Sequence, residues 1–213
     1  RRQRQMCIRD SYYSQGSKWT TMGYSTIFGM INSVGQPVFR EASEDRQRLQ
    51  NIFRKLMRFT AFVSFPAMLG LAIVSQELIV ISITEKWLPC VPVMQILCVW
   101  GAFMPISTLY SNLMNSIGRP NVYMWNTIAL GIFQLLCVWG SYPYGLNIML
   151  IVYTAANIFW LLIWHYFAHK HIGISLLNTL KDIAPYLIIS VAVMTFTYWV
   201  AAVSYTHLTL PTI

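Results

Sequence analysis

The chain has 213 residues, of which 56% are hydrophobic and 10% charged, with a net charge of +8. A soluble domain of this size carries about 25% charged residues, so the composition excludes an ordinary soluble enzyme and points to a polytopic membrane protein. The four cysteines show no ligand spacing. Cys90, Cys98 and Cys137 lie in or beside apolar runs and read as small buried hydrophobes.

Both ends stand apart. The chain begins with Arg1 rather than Met, as expected of a fragment or a misread start. Val203–Thr212 back-translates to a DNA whose reverse complement encodes Arg1–Asp10, so ten residues at one end are the antisense reading of ten at the other. That DNA resembles a transposon adapter of sequencing libraries. Residues 1–11 and 203–213 are therefore expected to be adapter artefact and are set aside, leaving 12–202 as the transmembrane bundle. Without them 11 basic and six acidic residues remain, a net charge of +5. The basic excess is thus no argument for nucleic acid.

A span needs about 20 mostly apolar residues. The first candidate is 19–39, free of charge but holding Gly23, Gly29, Gly35 and Pro37. A charged elbow follows, Arg40-Glu41-Ala42-Ser43-Glu44-Asp45. From Glu44 to Arg58, Leu49, Ile52, Phe53, Leu56 and Met57 recur at i, i+3, i+4, i+7 and i+8, one face of an amphipathic helix. Ser43 is placed as its N-cap, with Glu44 and Asp45 in the first turn. Such a helix between apolar runs suits the membrane surface. Further spans follow at 59–83, 91–117, 122–141, 146–167 and 183–202; Tyr142-Pro143-Tyr144-Gly145 divides the charge-free stretch between Pro120 and His169. The expected fold is all-α: a membrane bundle of about six transmembrane helices plus one interfacial helix.

Placing Arg40–Arg58 in the cytoplasm sends the 118–121 and 168–182 loops there too. These three carry Arg40, Arg46, Arg48, Arg54, Lys55, Arg58, Arg119, Lys170 and Lys181, against Lys18 and Lys86 on the other side. The bias has the sense of the positive-inside rule. Trp19, Trp87, Trp139, Trp164, Tyr142 and Tyr144 sit near span ends, where amphipathic rings prefer the interface.

No catalytic constellation stands out. His165, His169 and His171 are spaced i, i+4, i+6, with no Cys, Asp or Glu close by to complete a metal site, and read as interfacial histidines. Asn32, Gln36, Gln95, Asn112, Asn115, Asn126, Gln134 and Asn157 are amides within spans, where they face other helices or a wet cavity. Asn112 and Asn115, sharing a face with Thr108 and close to Arg119, are the better cavity candidates. Arg40-Glu41 reads either as a self-neutralising pair at a span end or as a charge offered to an anionic substrate.

Four pieces in order carry a family resemblance: Pro37-Val38-Phe39-Arg40 leading into the amphipathic segment; Phe65-Pro66-Ala67-Met68-Leu69-Gly70-Leu71; Glu85-Lys86-Trp87-Leu88-Pro89 with Val91-Pro92; and Asn115-Ser116-Ile117-Gly118-Arg119-Pro120. Gln76-Glu77-Leu78 fits between the second and third, while Thr84 stands where the family often has Gly. Over about 24–202 the chain resembles the polysaccharide-biosynthesis, or O-antigen flippase, branch of the multidrug/oligosaccharidyl-lipid/polysaccharide exporter superfamily. The resemblance implies a C-terminal half of a two-bundle exporter in the bacterial inner membrane. It would translocate a polyprenyl-pyrophosphate-linked oligosaccharide for cell-surface polysaccharide (lipopolysaccharide, O-antigen) synthesis, with Arg40 and Arg119 as pyrophosphate contacts and Asn112 and Asn115 lining the substrate path. It implies no enzyme activity, cofactor or metal; the partners would be the lipid-linked substrate, membrane lipids and other polysaccharide-assembly proteins, not nucleic acid. Two other readings remain: a polytopic enzyme of the same pathway (polymerase or acyltransferase), which would need a large outward loop, and a drug/cation antiporter of the superfamily, for which Glu77 is the intramembrane acid.

Overall fold

The computed structural model describes the backbone of residues 2–208 and the side chains of residues 11–200. The segments set aside above, 1–11 and 203–213, lie outside the described side chains apart from Ser11.

Among the described residues the chain is helical throughout: α1 (Arg2–Glu41), α2 (Arg46–Ile73), α3 (Ser75–Ser82), a 3-10 segment (Glu85–Cys90), α4 (Val91–Ser116), α5 (Pro120–Ser141), a short 3-10 turn (Tyr142–Tyr144), α6 (Leu146–Ile172) and α7 (Leu176–Leu208). A membrane forces this outcome, because only a helix satisfies its own backbone polar groups in hydrocarbon. The bundle is multi-pass and all-α.

Helix α4 is the central post. Its side chains Met94, Cys98, Ile106, Leu109, Leu113 and Met114 are fully buried, and α1, α2 and α6 pack around it. The contacts with α1 rise together along both sequences. Gly16 lies against Val93 and Cys90, Thr20 Oγ1 is 3.9 Å from Cys98 Sγ, and Gly35 faces Leu109 and Asn112. The two helices therefore run parallel, side by side. Small residues let the helices close up: a Cβ on Gly16 would sit 3.1 Å from Val93 Cγ1 of α4, and against α2 one on Gly23 would sit 2.7 Å from Leu71 Cδ2 and one on Gly101 2.5 Å from Met68 Cε.

Three expectations are corrected here. The amphipathic segment is not a separate interfacial helix; it is the first part of α2, which runs unbroken for 28 residues from Arg46 to Ile73. Nothing between Arg58 and Phe59 favours a break, since neither glycine nor proline stands there. The break falls instead at Val74, past Pro66 and Gly70, so the expected 59–83 span is divided between α2 and α3. The N-cap is Asp45, not Ser43. The Asp45 carboxylate accepts from the Gln47 and Arg48 amides at 2.9 and 3.1 Å, while the Ser43 hydroxyl donates back to the Arg40 carbonyl at 2.7 Å.

The third concerns the first span. Among the described residues five helical stretches are long and apolar enough to cross a membrane: Arg46–Ile73, Glu85–Ser116, Pro120–Tyr144, Leu146–Ile172 and Leu176–Val200. α1 is long enough but too polar to join them, because Ser, Thr, Gly, Asn and Gln recur along it. It packs side by side with α4, in parallel.

The loops sort into two ends. At one, Ser116 Oγ donates to the Gln36 carbonyl at 3.4 Å, and Arg46 Nε donates to the Ile172 carbonyl at 2.7 Å. The ends of α1, α4 and α6 and the start of α2 therefore meet there, with most of the cations. At the other, the Tyr12 and Trp87 rings meet edge to face at 5.7 Å, and Tyr12, Pro89 and Tyr144–Ile148 line one cavity.

Candidate functional site

The basic end is where the sequence motifs converge. Phe39, fully buried, anchors the end of α1 by stacking on Phe53 at 6.0 Å, and Phe53 in turn meets Tyr110 at 5.2 Å. With Phe39 turned inward, Arg40 next to it is turned outward and is exposed. Arg40 and Glu41 do not neutralise each other. Glu41 accepts from Arg48 Nη2 at 2.9 Å across the elbow, and among the described residues Arg40 has no ion-pair partner.

Arg119 owes its place to a helix-end motif. After α4, the Gly118 amide donates to the Asn115 carbonyl and the Arg119 amide to the Met114 carbonyl, at 3.4 and 3.2 Å, with Gly118 at φ +76°. This is a Schellman ending, which requires the left-handed residue that glycine supplies. Pro120 then opens α5 at its first position, where no amide is needed. Gly-Arg-Pro is thus stop, exposed cation, start. Arg119 is exposed and lies within electrostatic reach of His171.

Asn112 sits differently from expectation. It is 3% exposed, its Nδ2 donates to Asn32 Oδ1 at 2.8 Å, and its Oδ1 accepts from Gln36 Nε2 at 3.1 Å. Both ends of the amide are consumed between α4 and α1, so Asn112 positions Gln36 instead of facing open space. Asn115, one turn beyond Ser111 and half-buried, makes no side-chain hydrogen bond among the described residues. Arg40, a turn past Gln36, and Arg119, three residues past Ser116, are brought to the same end by the Gln36–Ser116 contact.

The other amides within helices also bind inward. Gln134 Nε2 donates to Asn157 Oδ1 at 2.8 Å, and Trp160 Nε1 to Asn126 Oδ1 at 2.9 Å. His165 is buried with Nδ1 3.1 Å from the Tyr110 hydroxyl, and His169 Nδ1 is 2.9 Å from the Ile174 carbonyl. The expectation of interfacial histidines fails at His165, which the turn of α6 points toward α4. Among the described residues no group of three metal-ligating side chains occurs. Glu77 is exposed on the short α3, not inside a long helix.

Two features escaped the sequence reading. The first is a charge clasp. Asp182, 6% exposed, accepts from Arg54 Nε and Nη2 at 2.7 and 3.1 Å and from Arg58 Nε at 2.8 Å. Beside it Arg46 and Gln50 both donate to the Ile172 carbonyl, at 2.7 and 2.5 Å, and so cap the end of α6. Cations on the polar face of the expected amphipathic helix instead tie α2 to α6 and α7.

The second is a polar stripe. Ser14, Lys18, Thr21, Ser25, Gly29, Ser33, Gln36 and Arg40 recur every three or four residues along α1, and all are exposed. They form one face along the described side chains of α1, with Met22 as its main apolar member. The hydroxyls of Ser25 and Ser33 fold back on the carbonyls of Met22 and Met30. A signal for it existed, since the period is visible in the sequence; only the direction in which it points was not.

Residues 10–92 match the family of polysaccharide biosynthesis proteins. A membrane protein of the cps region of Klebsiella pneumoniae is 33% identical over 51% of this chain and 23% of its own length. The lipopolysaccharide biosynthesis protein WzxC of Escherichia coli is 31% identical over 49% of the chain and 21% of its own length. The teichuronic acid biosynthesis protein TuaB of Bacillus subtilis is 24% identical over 57% and 25%. The matched part thus spans a quarter or less of these relatives. No solved structure matches. The resemblance read from the motifs holds: this is a multi-pass bacterial membrane protein similar to polysaccharide-biosynthesis membrane proteins.

Proposed function

We propose that this bundle is part of an exporter that carries a polyprenyl-pyrophosphate-linked oligosaccharide from the cytoplasmic to the outer leaflet of the inner membrane. The observation that carries the reading is the exposed polar stripe of α1. Lys18, Arg40, an amide and a row of hydroxyls facing hydrocarbon are unfavourable even where Ser25 and Ser33 bond back to their own helix, so such a face belongs against water or a second polar surface. A glycan crossing the membrane needs a wall of this chemistry, while its lipid tail stays in the bilayer. The similarity to polysaccharide-biosynthesis proteins supports the same substrate class.

On this reading the basic end is the cytoplasmic, loading end. Arg40 and Arg119 pair with the pyrophosphate, for which guanidinium forks are suited. Asn115 offers its free amide to the sugar, and Asn112 holds Gln36 in the wall. A second bundle facing α1 would complete an alternating-access path. This favours a transporter over an enzyme of the pathway; other polysaccharide-assembly proteins are partners through the shared substrate.

The test is complementation in a strain lacking the gene. Loss of the gene should make the lipid-linked intermediate accumulate on the cytoplasmic side, and the intact gene should clear it. Arg40→Gln with Arg119→Gln should restore the intermediate while leaving protein levels unchanged. A null strain without that accumulation would rule out translocation.

A further inference from the structure

We infer that Lys18 is the release-end counterpart of Arg40, a second cation that takes the substrate's pyrophosphate where the α1 stripe meets the outer leaflet. The inference rests on the translocation proposal and adds a residue to it. Lys18 is exposed, and among the described residues it has neither an ion-pair nor a hydrogen-bond partner. On the described part of the stripe it is the one charged side chain besides Arg40. Thr21, Ser25, Gly29, Ser33 and Gln36, which lie between the two, are neutral.

Helical geometry sets direction and distance. At 100° per residue, Lys18 and Arg40 point within about 40° of each other. Gly16 and Thr20, which face α4 at Val93 and Cys98, lie about 160° from Lys18 on either side. Lys18 therefore points away from α4, with the stripe. From Lys18 to Arg40 the helix rises about 33 Å, close to the hydrocarbon thickness of about 30 Å. The stripe is a neutral polar wall with one cation at each membrane boundary.

A cation at both boundaries suits this cargo. The hydroxyls and the amide of the wall can bond a sugar, but they do not neutralise a pyrophosphate, which needs a positive partner wherever it leaves water. A bilayer phospholipid is a poorer occupant of Lys18. Inward of it on the same face come Thr21, Ser25 and Gly29, and among these positions Met22 alone gives an acyl chain an apolar seat. An anion that continues into a glycan fits this face. The two cations also differ in kind: Arg40 offers a planar fork for two-point pairing, and Lys18 a compact, strongly hydrated point charge. The loading end is built to grip and the release end to let go. The other charges described at that end, Glu77, Glu85 and Lys86, stand on α3 and the 3-10 segment, off the stripe.

A charge series at Lys18 tests this in the complementation strain, using the full-length gene and reading surface glycan, lipid-linked intermediate and protein level. Lys18→Arg should export like the wild type, Lys18→Gln should lower export roughly tenfold, and Lys18→Glu should lower it further. Thr21→Lys in the Lys18→Gln background returns the charge one turn along the same face and should restore export, which a purely structural role for Lys18 would not allow. Lys86→Gln, at the same end but off the stripe, should export normally; anchoring to anionic headgroups would make both lysines matter alike. Failure of the Thr21→Lys rescue, or equal losses from Lys18→Gln and Lys86→Gln, would overturn the inference. So would normal clearance of the intermediate by Lys18→Glu in a strain whose null accumulates it, and translocation would then still stand. A null strain without accumulation would remove both.

Discussion

The outer faces of α1 and α5 are equally open and chemically opposite. On α5, Trp125, Ile128, Ile132, Leu135 and Trp139 are exposed, from 46% to 80%. On α1 the corresponding positions are Ser14, Lys18, Thr21, Ser25, Gly29, Ser33, Gln36 and Arg40. One face is matched to acyl chains and the other to water or sugar. Exposure in a membrane protein therefore has two meanings, and only the chemistry of the exposed groups tells them apart.

That contrast can be broken most directly by labelling. Cysteine introduced at Ser25 should react with a water-soluble maleimide in intact membranes, and cysteine at Ile132 should not; equal reactivity would mean that both faces see the same medium. A second way to break it is to fill the stripe. Ser25→Leu with Ser33→Leu should reduce glycan export by tenfold or more, corresponding to roughly 1.4 kcal/mol, whereas Ile132→Leu should leave export unchanged in the same complementation assay. A buried-charge test sharpens the lipid side: Leu135→Lys should disfavour insertion by about 2.5–3.5 kcal/mol and lower the amount of membrane-integrated protein. Gly29→Lys on the polar face should be integrated normally.

Two smaller effects probe the ends that hold these faces in place. Asp182→Ala leaves Arg54 and Arg58 without their acceptor and should cost about 1–3 kcal/mol in thermal unfolding in detergent; Arg54 and Arg58 are 33% and 48% exposed, so water takes up part of the loss. Gly118→Ala forces a Cβ into φ +76° and should cost about 1–2 kcal/mol by the same measurement. Its Cβ meets open space, so the cost is one of backbone strain alone.

The sequence reading reached different depths at different places. The ends of α4, α5 and α6 carry local punctuation: Val91-Pro92, Gly118-Arg119-Pro120 and Gly145 act through their own backbone preferences, and so speak from sequence. The cap at Asp45 was two residues off because Ser43 and Asp45 are both competent for it, and tertiary packing of the fully buried Phe39 and the buried Ala42 chooses between them. The Asp182 clasp joins residues 124 and 128 positions apart, and no local pattern specifies such a pairing. Read alone, Arg54 and Arg58 looked like the solvated side of an amphipathic helix. Asn112 shows the same limit in the candidate site: its polarity was plain, but whether it faced a cavity or another amide depended on Asn32 and Gln36, 80 and 76 positions away.

The continuity of α2 has a mechanical side. From Arg46 to Ile73 it is a single hydrogen-bonded rod of 28 residues, about 42 Å long. The surface segment and the span cannot tilt independently, except at Pro66, where one rung of the ladder is missing. Arg46, Arg54 and Arg58 grip α6 and α7 at one end of the rod, while Ser64 is bonded to the Ala102 carbonyl of α4 at 2.7 Å near its middle. A displacement of the basic elbow is thereby geared to the bundle interior, with the α2–α4 contact as fulcrum.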